Sequence, residues 1–100
     1  MQERRAAKRL RANINVRWET LKTQGRGAVC DLSASGCFVL TGGEVVPTEL
    51  ARMDLVLPDQ ATTFWGNEVY AVDEMGFAVR FVFGSEADKE SLERVILKAS

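Results

Sequence analysis

The chain of 100 residues contains no histidine, two cysteines and two prolines. Without histidine it lacks the commonest general base and the commonest zinc ligand. Two cysteines cannot complete a structural zinc site, and in a chain of this length they do not form a disulfide framework. We therefore interpret Cys30 and Cys37 as small apolar side chains on adjacent strands, rather than as a redox pair or a metal site.

Long apolar runs are also missing from the sequence. No stretch is long enough to span a bilayer, and the basic N-terminus is not followed by the hydrophobic segment of a secretory signal. These absences predict a cytoplasmic protein without membrane insertion. The hydrophobic share of 46% and the charged share of 27% are typical of a soluble globular protein, and the length predicts one domain.

Positive charge is concentrated at one end of the chain. Residues 1–11 hold five of the thirteen basic side chains and one of the fourteen acidic ones, a net charge of +4, and the remainder carries −5. Anion binding is therefore expected at this arm, and the acidic body disfavours general nucleic-acid binding. Repulsion among the like charges predicts that the arm is disordered without a ligand.

Alternating apolar and polar residues predict six short strands. Ile14, Val16 and Trp18 alternate with polar residues in the first strand, and residues 22–25 are interpreted as its turn. The other strands are predicted at about residues 26–32, 37–41, 53–57, 63–72 and 77–83, with a long loop marked by Gly42-Gly43 and Pro47 and a bulge near Gly66. Short antiparallel strands need closure to hide their edges, which predicts an all-β, six-stranded antiparallel barrel.

The last segment changes to a helical period. Ser85 is a plausible N-cap, and Leu92, Val95, Ile96 and Ala99 form an apolar stripe. We expect this C-terminal helix to pack on the barrel. In the second strand we expect Ala28, Cys30 and Leu32 on the inner side, and Asp31 and Ser33 facing solvent.

Two short motifs carry the chemistry. Arg5 and Arg9 lie four residues apart in the arm, and each guanidinium fork fits phosphate oxygens or the O6 and N7 acceptors of guanine. Asp31, Ser33 and Gly36 form DxSxxG, in which a carboxylate can accept the N–H donors of guanine. Together the motifs favour a guanine nucleotide as ligand, although each alone is also typical of a solvated chain end or an ordinary turn.

An RxxxR arm followed at this distance by DxSxxG resembles the signature of the PilZ domain family, which binds the bacterial second messenger cyclic di-GMP. The resemblance covers essentially the whole chain and implies an arm at residues 1–12 and a split-barrel domain with its helix at residues 13–100. It implies that ligand contacts come from Arg5, Arg9, Asp31, Ser33 and Gly36, with Arg4 and Ser35 as further candidates. Ala78 departs from a glycine that is common in the family, but it lies outside both motifs.

Three functional classes follow. The leading one is a cyclic di-GMP receptor that orders its arm on binding and signals to a partner protein. The second is an adaptor of the PilZ type that acts without nucleotide. An enzyme is the most distant, because Asp31, Asp73 and Glu74 form no recognisable acid–base pair. Trp65 and Tyr70 are expected in the core or at the barrel rim, with stacking on guanine as the alternative.

Overall fold

The protein is a closed barrel of six antiparallel strands followed by one helix, seen in a computed structural model that describes residues 9–42, 50–58, 60–72 and 74–99. The strands are β1 (Leu10–Glu19), β2 (Gln24–Leu32), β3 (Gly36–Leu40), β4 (Leu50–Val56), β5 (Ala61–Val72) and β6 (Gly76–Val82), and the helix is α1 (Glu86–Ala99). Their order around the barrel is β1-β2-β3-β6-β5-β4, and β1 pairs with β4 to close it. The predicted architecture is confirmed.

Alternation along the strands builds the core, as predicted. Val16 and Trp18 of β1 are buried, and the Trp18 ring meets Phe77 edge to face with 5.2 Å between centroids. Phe77 and Phe81 of β6 also point inward. Each large apolar side chain removed from water in this way contributes about 1.5–3 kcal/mol to folding. One carboxylate also lies inside, because Glu68 of β5 is only 1% exposed.

Bulges shift the register of paired strands at three places. The β1–β2 register shifts between Arg11 and Ile14, and the β2–β3 register shifts between Val29 and Asp31. An extra residue reverses the faces of the positions beyond it. The expectation that Ala28 and Cys30 share the inner side with Leu32 is therefore wrong. Val29 and Leu32 are fully buried, whereas Ala28 and Cys30 are half-buried.

The third bulge lies in β5, where the β5–β6 register shifts between Glu68 and Tyr70. The expected bulge near Gly66 is wrong, since Gly66 pairs regularly with Phe81 and Ala51. β2 begins at Gln24, two residues before its predicted start, because the chain reverses over residues 20–23 through hydrogen bonds to Thr20 Oγ1. β1 begins at Leu10, and residues 43–49, which include Gly43 and Pro47 of the predicted loop, lie outside the described residues.

The helix α1 begins and packs as its sequence predicts. Ser85 Oγ accepts a hydrogen bond from the Asp88 amide at 3.3 Å, and the Asp88 carboxylate accepts one from the Gly84 amide at 3.0 Å. Leu92 and Val95 are each 1% exposed and join the barrel core, with Ile96 packed against them. Throughout the described ranges, no helix is both long and apolar enough to cross a membrane.

Candidate functional site

Arg9 and Asp31 form an ion pair on the outside of the barrel. Leu10 pairs with Leu32 and Arg11 with Asp31, so the start of β1 lies beside the end of β2. Arg9 donates to Asp31 Oδ2 from Nη2 at 2.8 Å and from Nε at 3.1 Å. The two sequence motifs, 22 residues apart along the chain, are therefore in direct contact.

The exposure of this pair makes it a ligand-accessible contact. The Arg9 side chain is 53% exposed and that of Asp31 is 35% exposed, and exposed ion pairs contribute little to stability. The hydrogen bond to Asp31 raises the pKa of the Arg9 guanidinium above its ordinary value, so the side chain keeps its positive charge. Both bonds end on Oδ2, and within the described residues no hydrogen bond reaches Asp31 Oδ1.

Ser33 organises the turn that follows β2. Its Oγ accepts hydrogen bonds from the amides of Ser35 at 3.2 Å and Gly36 at 3.3 Å, and its own amide donates to the Gly36 carbonyl at 2.9 Å. The expectation that Ser33 faces solvent is wrong, because the residue is 2% exposed. β2 ends at Leu32, so the alternation of the strand does not extend to Ser33, which lies in the turn with its hydroxyl bonded to the turn amides.

Gly36 is required by a close approach of two strands. A Cβ at this position would collide with the carbonyl oxygen of Val79 on β6. The backbone of Gly36 does not have a positive φ, so the close approach, and not a left-handed conformation, accounts for the glycine. The glycine lets β3 start immediately beside β6 and fixes the turn that carries Ser33.

Two aromatic rings, those of Phe38 and Tyr70, lie next to the ion pair. Asp31 pairs with Phe38, Phe38 with Ala78, and Ala78 with Tyr70, which places these residues in one row across β2, β3, β6 and β5. The rings of Phe38 and Tyr70 are 6.5 Å apart and tilted by 43°. The Tyr70 side chain is also close enough to contribute electrostatically to the raised pKa of Arg9.

The two aromatic candidates from the sequence lie in different places. Tyr70 is 54% exposed beside Arg9 and Asp31, and Trp65 is 46% exposed on another part of β5, beside Leu21 and Leu50. The expected core position is therefore wrong for both Trp65 and Tyr70. Phe38 is a site residue that the sequence analysis missed, although its position between the buried Cys37 and Val39 already directs it outward.

Several candidates from the sequence are not brought into view. Arg4, Arg5 and Asp73 lie outside the described residues, and Ser35 is exposed in the turn, with its hydroxyl 3.2 Å from that of Ser33.

Cys30 and Cys37 are free thiols, and burial raises the pKa of Cys37 to about 12. The described part of the chain holds no group of three or more His, Cys, Asp or Glu side chains placed to bind a metal ion.

Comparison with known proteins identifies the family. The PilZ domain family matches residues 3–98 of the sequence. The chain belongs to the PilZ domain family. Both motifs of this PilZ domain fall within the matched residues. A comparison of the sequence with curated proteins finds no significant match.

Solved structures share the fold of this PilZ domain. The PilZ domain of YcgR from Escherichia coli with c-di-GMP has a TM-score of 0.82 at 16% identity, covering 97% of this chain and 92% of that one. The PilZ domain of CeSA from a cellulose-synthesizing bacterium has a TM-score of 0.76 at 17% identity, covering 91% and 96%. MrkH of K. pneumonia in complex with c-di-GMP has a TM-score of 0.73 at 17% identity, covering 97% of this chain and 52% of MrkH.

Proposed function

We propose that this PilZ domain is a receptor for cyclic di-GMP. The observation that carries the proposal is the contact between Arg9 and Asp31, which unites the RxxxR and DxSxxG motifs on an exposed face. The YcgR domain and MrkH, which share the fold, were solved with c-di-GMP. A binding role also fits a site that offers hydrogen-bond donors, acceptors and aromatic rings, but no arrangement of an acid with a base or a nucleophile.

The chemistry of the two side chains matches guanine. The Asp31 carboxylate would accept hydrogen bonds from the N1–H and N2–H groups of the base, while Arg9 would donate to O6 and N7 or to a phosphate oxygen. The rings of Phe38 and Tyr70 offer a surface on which a purine can stack. In this proposal Arg5, with Arg4 as a further candidate, adds donors for phosphate or guanine.

Ser33, Ser35 and Gly36 contribute to the proposed site in different ways. The hydrogen bond between Ser33 and Gly36 fixes the shape of the turn. This turn keeps Asp31 in contact with Arg9. Ser35, like Ala34, is exposed in the turn and would offer its hydroxyl to the ligand. Preorganisation of this kind lowers the entropic cost of binding, because the acceptor already has its bound position.

We further propose that binding orders the arm and that the ordered arm presents a new surface to an effector protein. Cyclic di-GMP carries two negative charges, which would offset the repulsion among the five basic residues of the arm. Because part of the binding energy is used to order the chain, the affinity is expected to be moderate and to fall with added salt. NMR relaxation of the amides of residues 3–8, which precede the contact of Arg9 with Asp31, tests this step when it is measured with and without ligand.

Isothermal titration calorimetry with cyclic di-GMP and cyclic di-AMP tests the receptor proposal. Adenine presents an N6 donor where the arginine fork needs an acceptor, so cyclic di-GMP is expected to bind more tightly by about 1–3 kcal/mol per base that is read. Equal affinities would contradict guanine recognition. Absence of binding to either ligand would favour the adaptor that acts without nucleotide.

A further inference from the structure

Two arginines face each other on the outer surface of the barrel, far from Asp31. Arg17 of β1 is directly opposite Arg26 of β2, and like charges in this position destabilise a sheet. Across the described residues, neither guanidinium has a carboxylate partner within ion-pair distance. They line one hollow of about 420 Å³. The pair therefore concentrates positive charge at this hollow.

The acidic residues near this pair are already engaged. Asp54 of β4 lies opposite Arg17, but its Oδ1 accepts a hydrogen bond from Thr63 Oγ1 at 2.7 Å and lies 3.9 Å from Arg52 Nε. Glu19 Oε1 accepts a hydrogen bond from Arg52 Nη2 at 2.8 Å. The three arginines and two carboxylates of the hollow carry a net charge of +1, and within the described residues Arg17 and Arg26 form no ion pair.

An apolar hollow of about 410 Å³ adjoins the arginine pair. Its apolar walls are Leu21, which is 98% exposed, Leu50 and Trp65, and it shares Glu19 and Arg52 with the first hollow. Trp65 pairs across the sheet with Val82, which is also exposed. Exposed tryptophan and arginine side chains are enriched where protein interfaces concentrate their binding energy.

We propose that these two hollows form one docking surface for an acidic amphipathic helix of a partner protein. In this surface an apolar side chain of the helix enters the hollow of Leu21, Leu50 and Trp65, and its carboxylates pair with Arg17 and Arg26. Charge complementarity selects an acidic partner over anionic lipid or nucleic acid, because Glu19 and Asp54 sit among the arginines and would repel a continuous array of phosphates.

The spacing and the closed sheet both favour a helix. Trp65 lies two strands from Arg17 and two residues further along, which corresponds to about 12 Å for strand spacings of about 4.8 Å and rises of about 3.3 Å. Two turns of a helix span about 11 Å. A closed barrel has no free edge to which an extended segment could add a strand, whereas a helix satisfies its own backbone hydrogen bonds.

The surface is separate from the nucleotide site. Arg17 follows Arg9 by eight residues along an extended strand, which corresponds to roughly 26 Å. A bound helix would therefore leave Arg9 and Asp31 accessible. The inference does not depend on the proposed receptor function.

The test uses the full chain and a synthetic probe. The probe is an alanine-rich helical peptide without tryptophan that carries two leucines on one turn and two glutamates two turns later. Trp18 is buried and Trp65 is exposed, so a blue shift of tryptophan emission on titration reports contact at Trp65. We expect the shift with this peptide, and an affinity at least about fivefold lower for the counterpart with glutamine in place of glutamate.

Matched variants locate the contact. Arg17→Glu and Arg26→Glu should each lower the affinity at least about fivefold, whereas Lys89→Glu on the exposed side of α1 makes the same charge change and should leave it unaltered. Leu21→Ala should weaken binding without affecting the fold, because the side chain is 98% exposed. Arg9→Ala should have no effect on peptide binding.

Three results would overturn the proposal. The first is equal affinity for the glutamate and glutamine peptides. The second is an equal effect of Arg17→Glu and Lys89→Glu. The third is binding to phosphatidylglycerol vesicles or to duplex DNA that is stronger than binding to the glutamate peptide and is lost in Arg17→Glu, which would assign the surface to a lipid or a nucleic acid.

Discussion

Asp31 and Phe38 lie directly opposite each other on β2 and β3, one position beyond the bulge that leaves Cys30 unpaired with β3. This relationship determines the layout of the candidate site. The bulge directs Asp31 outward toward Arg9 while Leu32 enters the core, and it places an aromatic ring beside the carboxylate. One extra residue in a strand thus places a carboxylate and an aromatic ring side by side on the outer surface.

Removing either member of the ion pair should weaken nucleotide binding more than it affects folding. Arg9→Ala and Asp31→Ala are each expected to reduce affinity for cyclic di-GMP by about 1–3 kcal/mol, because each removes charge-assisted hydrogen bonds. The melting temperature should change little, since the pair is exposed. Calorimetry measures the affinity, and thermal unfolding measures the melting temperature. Arg94→Ala on the exposed side of α1 is the control. Unchanged affinity in both variants would remove this pair from the site.

Tyr70 and Trp65 should respond differently to substitution. Tyr70→Ala is expected to weaken cyclic di-GMP binding by about 1–3 kcal/mol, the range for a base stacked on an aromatic ring. Trp65→Ala removes an equally exposed aromatic side chain from another part of β5 and should leave nucleotide affinity unchanged. Equal losses of affinity in the two variants would contradict the assignment of Tyr70 to the site.

A methyl group at Gly36 should destabilise the barrel. Gly36→Ala is expected to lower the free energy of unfolding by about 1–3 kcal/mol, because the added Cβ collides with the Val79 carbonyl. Gly42→Ala is the matched control, since among the described residues, its chain neighbours aside, nothing lies within 4 Å of the position its Cβ would take. Urea unfolding followed by tryptophan emission measures both variants. A Gly36→Ala variant as stable as Gly42→Ala would show that the two strands can separate locally at no cost.

The Cys37 thiol should make stability fall at alkaline pH. Burial raises its pKa from 9.0 to about 12, so above pH 9 the thiol ionises in the unfolded chain but stays protonated in the folded one. The unfolded state then binds fewer protons, and stability is lost between these two values at up to about 1.4 kcal/mol per pH unit. We expect Cys37→Ala to remove this component of the slope in urea unfolding at alkaline pH. Cys30→Ala, at a half-buried thiol, is the control. If the free energy of unfolding fell equally steeply with pH in the wild type and in Cys37→Ala, Cys37 would not be the source of the loss.

Sequence patterns predicted the architecture because closure and alternation leave few alternatives. Ile14, Val16 and Trp18 point inward as their spacing requires, and Ser85 caps the helix. The sequence predicted that the two motifs bind one ligand together, but it did not predict the ion pair that Arg9 and Asp31 form with each other.

Bulges account for most of what the sequence did not predict. The face of Cys30 depends on how β2 pairs with β3, and no local pattern encodes that register. The burial of Ser33 depends on the turn that follows β2. The role of Gly36 depends on the approach of β6, more than forty residues later in the chain. Trp65 and Tyr70 are outward-facing in a strand whose bulge at residue 69 changes the alternation.

The order of strands in the barrel has a consequence for how the chain folds. β1, β2 and β3 form one meander and β4, β5 and β6 form another, and each has two edges that are covered only by the other, through β1–β4 and β3–β6. Neither half can bury its apolar face alone, so the two are expected to fold as one cooperative unit with no stable half-folded state. Because both seams join residues far apart in sequence, the rate of folding should be set by the search for these late pairings.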